Sequence, residues 1–372
     1  MFINSQKIIN LLEQLAPKRY AEDWDNVGFL IGSDQLEIQK VMVTLDVTEA
    51  VVDEAIEKNV DLIVSHHPMI FKGLKSITDR SYKGRLIRKL IKADIHVYAA
   101  HTNLDITAGG LNDYLAGLLE LEQVDVLDVS GSDAYYKLVT MVPTDSVPVV
   151  EEALFKAGAG RLGNYEQCDF KVTGQGSFKP LTGANPAIGN VGVREFVEEV
   201  RLEMIVLGEV LDQCTRALLK SHPYETPAYD IFKMENLEKA YGLGRVGRFT
   251  QGLSGEAFIE RLKSVLGSNY MRVAGILPEK IYKVGLCTGA GSEFIHTAKR
   301  KGCDVFITGD VKYHEAQLAE ELDMCVIDAG HYETEGIYVD YLRDYLTEKC
   351  TSKNYEVRII KSEFLENPFK VY

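Results

Sequence analysis

The sequence predicts an α/β protein: a domain built on a mainly parallel sheet, split in two by an inserted ferredoxin-like βαββαβ module. Continuous apolar strands alternate with amphipathic helices from about residue 40 to 119, and the same alternation returns from 245 to 361. Between these stretches the rhythm changes at Gly131-Ser132 to strand-helix-strand, twice over. A chain of 372 residues also exceeds the usual size of one domain. The expected domains are 1–130, 131–239 and 240–372, the first and third together forming one split unit.

At the N-terminus, apolar positions 8, 9, 11, 12 and 15 are broken by Asn10, Glu13 and Gln14. That pattern is an amphipathic helix stopped by Pro17, not a signal peptide. No run approaches membrane-spanning length, and a cytoplasmic protein is expected. Lys40–Asp46 reads as a strand and Thr48–Asn59 as a helix with Thr48 as its N-cap. Val60–Val64 is a strand, Tyr82–Ala93 a helix, Asp94–Ala100 a strand and Gly109–Leu119 a helix. In the insert, strands are expected at 137–142, 199–207 and 228–234, with helices at 147–157 and 208–221. Gly and Pro are dense from 158 to 192, which predicts loop or hairpin there. The last third reads as strand 245–250, helix 255–266 and strand 271–275. Strands 283–287, 304–308 and 324–328 follow, each leading to a helix, and 356–361 closes the chain as a strand.

The net charge of −14 argues against a general nucleic-acid or membrane-surface binder and leaves room for a small anionic substrate. Six scattered cysteines form no CxxC pair, so buried free thiols are expected, with Cys168 the one that could be exposed.

Ligands of open α/β sheets bind at the carboxyl ends of the strands. Those ends carry His66-His67, His101 with Asp105, Thr288–Ser292, Asp310 with His314, and His331 with Glu335. Five of the eight histidines fall there. Adjacent strand residues point to opposite faces, so His66 and His67 suit two neighbouring ions better than one; a hydrogen-bonded buried pair is the plainer alternative. His331 and Glu335 are four apart on a helix and share a face. His101/Asp105 and Asp310/His314 repeat that spacing, the former across an expected loop. Imidazole and carboxylate without thiolate suit zinc, manganese or iron. The spacing suggests His67 and Asp105 on one ion, His66 and His331 on the other, and Glu335 between them. Open positions for water would then make hydrolysis the chemistry. His101 is either a proton shuttle, since imidazole exchanges protons near neutral pH, or the group that orients Asp105.

Other features weigh less. The loop CTGAGS (287–292) could present N–H groups to an anion, or be a tight turn. Trp24, the one tryptophan, lines the site or anchors packing. His222-Pro223-Tyr224-Glu225 reads as a turn, and His96 and His296 as structural.

SHHPMIFKGLKSI (65–77), HTNLD (101–105), TGDVKYHEAQLA (308–319) and DAGHYETE (328–335) closely resemble the NIF-three-like family, often labelled GTP cyclohydrolase 1 type 2 homologues. The likeness covers essentially the whole chain. EALFKAGAGRLGNYEQC (152–168), GANPAIG (183–189) and SHPYETPAYD (221–230) resemble the inserted domain of the longer bacterial members, similar to PII and CutA proteins. The resemblance implies a split α/β fold and a dinuclear site with ligands His66, His67, Asp105, His331 and Glu335, none departing from the family pattern. It also implies two divalent ions per subunit, zinc foremost with manganese or iron as alternatives, and a ring-shaped homohexamer. Two functions compete: a metal-dependent hydrolase of a small nucleotide-like or phosphate-bearing substrate, such as ring opening of GTP, and a non-catalytic metal-binding regulator or scaffold whose insert senses a ligand.

Overall fold

A computed structural model describes residues 3–33 and 35–370. Its contacts divide the chain into two compact units, residues 1–130 with 241–372, and residues 131–240. The chain begins with β1 (Ile3–Asn4) and α1 (Ser5–Leu15), then β2 (Gly28–Ile31), β3 (Glu37–Ile38) and β4 (Lys40–Thr44). α2 (Glu49–Glu57), β5 (Leu62–Ser65), α3 (Tyr82–Lys92) and β6 (His96–Ala99) follow. Two short helices come next, α4 (Thr102–Ile106) and α5 (Leu111–Leu118), before the long strand β7 (Glu122–Pro143). Thr48 caps α2, its hydroxyl accepting from the Val51 N–H at 3.3 Å.

Between residues 131 and 240 the order is β7, α6 (Val147–Lys156), β8 (Asp169–Phe178), β9 (Glu195–Leu207), α7 (Leu211–Ser221) and the start of β10 (Tyr229–Ser254). β9 pairs antiparallel with β7, Tyr135 opposite Leu207, and with β8, Asp169 opposite Met204. β10 flanks β7 on the side away from β9. Leu138, Val142, Val150, Leu154, Leu202, Met204 and Leu218 form this unit's core. β8 falls inside the stretch expected as loop or hairpin; its residues are mostly exposed, so no apolar alternation marks it.

The chain then runs α8 (Gly255–Leu266), β11 (Arg272–Ala274), β12 (Lys280–Leu286), α9 (Ile295–Arg300) and β13 (Val305–Thr308). It ends with α10 (Tyr313–Glu321), β14 (Cys325–Asp328), α11 (His331–Gly336), α12 (Tyr338–Ser352) and β15 (Arg358–Lys361). The expectation of one mainly parallel sheet for the split unit needs correcting. One sheet has the order β15-β4-β5-β6-β2, parallel except for β2. A second joins parallel β12, β13 and β14, flanked by antiparallel β11 and by residues 245–254 of β10. Strand composition shows that a strand is buried on both faces; it does not say which distant strand will be its neighbour. Val41, Met42, Val43, Leu62, Ile63 and Val64 are fully buried, each such side chain contributing roughly 1.5–3 kcal/mol.

The two sheets are built from the same device. Lys40 Nζ donates to the Lys58 carbonyl, and the Asp61 carboxylate accepts from the N–H groups of Gln39 and Lys40, both at 2.8 Å. In the second sheet Lys283 Nζ donates to the Lys301 carbonyl, and Asp304 accepts from Tyr282 at 2.7 Å and Lys283 at 2.8 Å. The lysine-to-carbonyl separation is 18 residues in each and the lysine-to-aspartate separation 21. In each half the third strand, β6 or β14, leads into a short helix bearing a carboxylate four residues after a histidine.

Candidate metal centre

Parallel β5, β6, β13 and β14 end in the loops that carry the polar residues. His66, after β5, is fully buried, and its Nδ1 donates to the Ala100 carbonyl at 2.9 Å. A carbonyl only accepts, so the proton sits on Nδ1 and the Nε2 lone pair faces inward. His66 Nε2 has no hydrogen-bond partner and lies 3.7 Å from Asp105 Oδ1 and 3.7 Å from Glu335 Oε1. Asp105 Oδ1 is likewise buried and unpartnered.

His67 and His331 are held the same way. Asp46 Oδ1 accepts from His67 Nδ1 at 2.8 Å, and Asp310 Oδ2 accepts from His331 Nδ1 at 2.8 Å. Their Nε2 atoms meet at one carboxylate oxygen, Glu335 Oε2, at 2.8 and 2.9 Å. An acceptor on Nδ1 is the usual orienting contact of a metal-binding histidine. Burial pushes the His67 imidazole down, but the carboxylates of Asp46 and Glu335 outweigh it and hold it at about 10. The hydrogen bond to Glu335 holds His331 up at about 9 against burial. Burial raises Asp105 and also pushes Glu335 up, but the surrounding histidines bring Glu335 well below the usual carboxylate range. The buried Glu335 carboxylate thus favours positive charge among these histidines, and a metal cation would supply it.

His101 caps α4 and its Nδ1 lies 3.0 Å from both oxygens of Asp25, which also accepts from the Thr102 hydroxyl at 2.6 Å. Burial pushes Asp25 up, but His101 and Thr102 outweigh it and hold it down at about 2. The His101 ring lies 5.1 Å from that of His66 and 5.6 Å from that of His67. Ligand atoms of His66, His67 and His101 lie within 4.8 Å of one another, as do those of His67, His331 and Glu335. This His/Glu cluster could bind a metal ion. The unpartnered His66 and Asp105 atoms and the three oriented histidines fit such an ion.

Several expectations are corrected here. Asp105 lies against His66, while His67 and His331 share Glu335 Oε2, so the division of ligands suggested by spacing is not the one the distances give. His101 sits at the start of a helix and is bonded to Asp25, not Asp105. Asp310 turns to His331, and exposed His314 bonds Gln317 at 3.0 Å, so that pair does not act together. The 287–292 loop is a turn: the N–H groups of Thr288, Gly289 and Gly291 donate to Asn112 at 2.9 Å, Thr334 at 3.0 Å and Thr308 at 2.8 Å. Trp24 is no packing anchor, being 57% exposed, with its ring 5.7 Å from Phe71 and 6.2 Å from His101.

Spacing alone does not reveal Asp46, Asp25 or Gly289. Gly289 has φ +66°, and a Cβ there would lie 2.1 Å from Glu335 Oε1. Gly289→Ala is therefore expected to displace Glu335 and weaken metal binding by about 10–100-fold, read by zinc titration. Unchanged affinity would show that Glu335 does not depend on this close approach.

The profile of the Duf34/NIF3 (NGG1p interacting factor 3) family matches residues 3–368. This chain belongs to the NIF3 family. Among NIF3 relatives, the GTP cyclohydrolase 1 type 2 homolog of Bacillus subtilis (strain 168) is 47% identical over 99% of this chain and 98% of its own. The protein of that name from Halalkalibacterium halodurans is 43% identical over 98% of each chain. The crystal structure of a Bacillus cereus protein related to NIF3 superposes with a TM-score of 0.90 at 38% identity, covering 100% of both chains. No helix among the described residues is long and apolar enough to cross a membrane.

Proposed function

We propose that this chain is a dinuclear-metal-dependent hydrolase of a small, ring-bearing, nucleotide-like substrate. The observation that carries this reading is the buried pair His66 Nε2 and Asp105 Oδ1, both unpartnered, on one side of Glu335, with His67 and His331 on the other. His66 and Asp105 would hold one divalent ion, His67 and His331 a second, and Glu335 would touch both. Zinc suits this donor set, with manganese or iron as alternatives. A divalent ion so held lowers the pKa of water from 15.7 towards ~7 and polarises an acceptor oxygen or nitrogen.

The chain's own groups supply the rest. Asp25 fixes the His101 ring beside the cluster, where it takes a proton from the attacking water and returns it to the leaving nitrogen or oxygen. Trp24 and Phe71, 57% and 38% exposed, form an aromatic flank beside His101 on which a flat ring can stack. Separately from that flank, a cavity of about 590 Å³ bordered by His67 and His331, with Tyr270, Arg272 and Tyr332 among its walls, has room for a small molecule beside the cluster. The name of the curated relatives makes ring opening of GTP the first reaction to test.

The same reading takes 131–239 as an inserted ferredoxin-like, PII/CutA-like domain, supported by its βαββαβ order, and the protein as a cytoplasmic homohexamer. A second reading, a metal-binding regulator or scaffold, is favoured by one feature: the cluster joins side chains from both halves of the sequence, so metal would also hold them together. Turnover of GTP and small nucleotides by the metal-loaded protein, followed by mass spectrometry with light scattering, separates them. An enzyme shows turnover that falls by about 10²–10⁴-fold in His101→Ala with metal content and assembly intact. A fully loaded protein that consumes no nucleotide contradicts the hydrolase reading.

A further inference from the structure

The unit of residues 131–240 carries a half-open cavity of about 620 Å³, inside the range that holds small organic ligands. Its walls are largely apolar, with Met141, Val172, Phe178 and Pro186 among them. One buried carboxylate lines it: Glu199, 8% exposed. The 222–225 segment, which the metal centre does not use, builds this corner. His222 Nε2 donates to the Met141 carbonyl at 3.0 Å, and its Nδ1 accepts from the Tyr224 N–H at 3.1 Å. Tyr224, braced in this way and packed 5.6 Å from Phe178, donates its hydroxyl to Glu199 Oε1 at 2.8 Å.

Glu199 is unusual in what it lacks. Among the described residues, Tyr224 is the side chain that donates to its carboxylate, and that donor is neutral. Arg201 also lines the cavity, but its Nε is bonded to Glu203 at 2.8 Å, and Lys179 at the rim is exposed. Gly176 lets this carboxylate lie close against the β8 backbone, since a Cβ there would lie 1.9 Å from Glu199 Oε2. A carboxylate withdrawn from water into apolar walls is costly unless a cation or further N–H donors reach it.

We propose that this cavity is a ligand site for a small molecule with a cationic or N–H-donating end and a flat apolar body, of the aminated-heterocycle class, held through Glu199. The apolar walls take the body and Glu199 takes the donor end. The site lies wholly within residues 141–228 and is separate in sequence from the metal-binding side chains.

Benzamidine and benzoate share a ring and differ in the sign of charge, so they probe this site directly. Saturation-transfer NMR on the full chain should show benzamidine binding and no benzoate binding, with the same result after chelator treatment. Glu199→Gln should weaken benzamidine at least tenfold. Val172→Arg, at an exposed strand position, should abolish binding by filling the cavity without unfolding the unit. Equal binding of the two probes, or benzamidine binding that survives both substitutions, overturns the proposal. So does the absence of any probe binding, and if Val172→Arg then also breaks the assembly in light scattering, the cavity is the seat of a second copy.

Discussion

Glu335→Gln is expected to strip the cluster of metal while leaving the chain folded. Its carboxylate is 3% exposed and faces all three histidines: Oε1 lies 3.7 Å from His66 Nε2, and Oε2 lies 2.8 and 2.9 Å from His67 and His331. Glutamine keeps the shape and removes the negative charge, so Asp105 alone would remain to balance the ions. Losing an orienting partner of a ligand typically costs 10–100-fold in affinity, and losing the carboxylate that all three histidines face should cost more than about 100-fold. Elemental analysis after dialysis reads this, with circular dichroism as the control for folding. Wild-type metal content in Glu335→Gln would remove this residue from the centre.

Arg245→Met is expected to destabilise the protein by about 2–4 kcal/mol, mainly because buried carbonyls that lose a donor cost about 1–3 kcal/mol each, the partly exposed Asp113 adding little. Arg245 is 2% exposed. It pairs with Asp113 through Nε and Nη2, both at 2.8 Å, and donates to the carbonyls of Gly242, Gly244, Ile106 and Thr107. Methionine fills the space but leaves Asp113 without its cation and four carbonyls without donors. Ile106 and Thr107 follow Asp105 directly, so the same substitution should loosen metal binding. Urea unfolding measures the effect; a loss under about 1 kcal/mol would show that water replaces the guanidinium at no penalty.

What could be read from the sequence was local. The alternation between 40 and 119 is visible because strands such as Val41–Val43 are apolar on both faces and each following helix keeps its own period. The four-residue spacing of His331 and Glu335 is likewise a local signal, and in the structure the two face each other across one turn. Residues whose roles come from distant contacts were not legible. Asp46 reaches His67 across 21 residues, Asp25 reaches His101 across 76, and His67 reaches Glu335 across 268. α4 spans five residues, too short for a helical period to register, and β2 is a four-residue antiparallel edge opened by a glycine. The pairing of β15 with β4, which completes the first sheet, joins opposite ends of the chain and has no local trace.

The match between the Lys40/Asp61 and Lys283/Asp304 devices explains why the rhythm of the first half returns after the insert. Both halves end their third strand on a short helix with a carboxylate placed four residues after a histidine. In the first half the histidine turned away to Asp25, and in the second it turned to Asp310 and Glu335. The two halves therefore supply different groups to one cluster from the same local plan.

Metal content and anomalous diffraction on protein purified without chelators test the metal centre most directly. Two divalent ions per chain are expected, one against His66 and Asp105, one against His67 and His331, with Glu335 touching both. An anomalous map with no peak among these five side chains, on protein shown to be folded and exposed to zinc, manganese and iron, would contradict it.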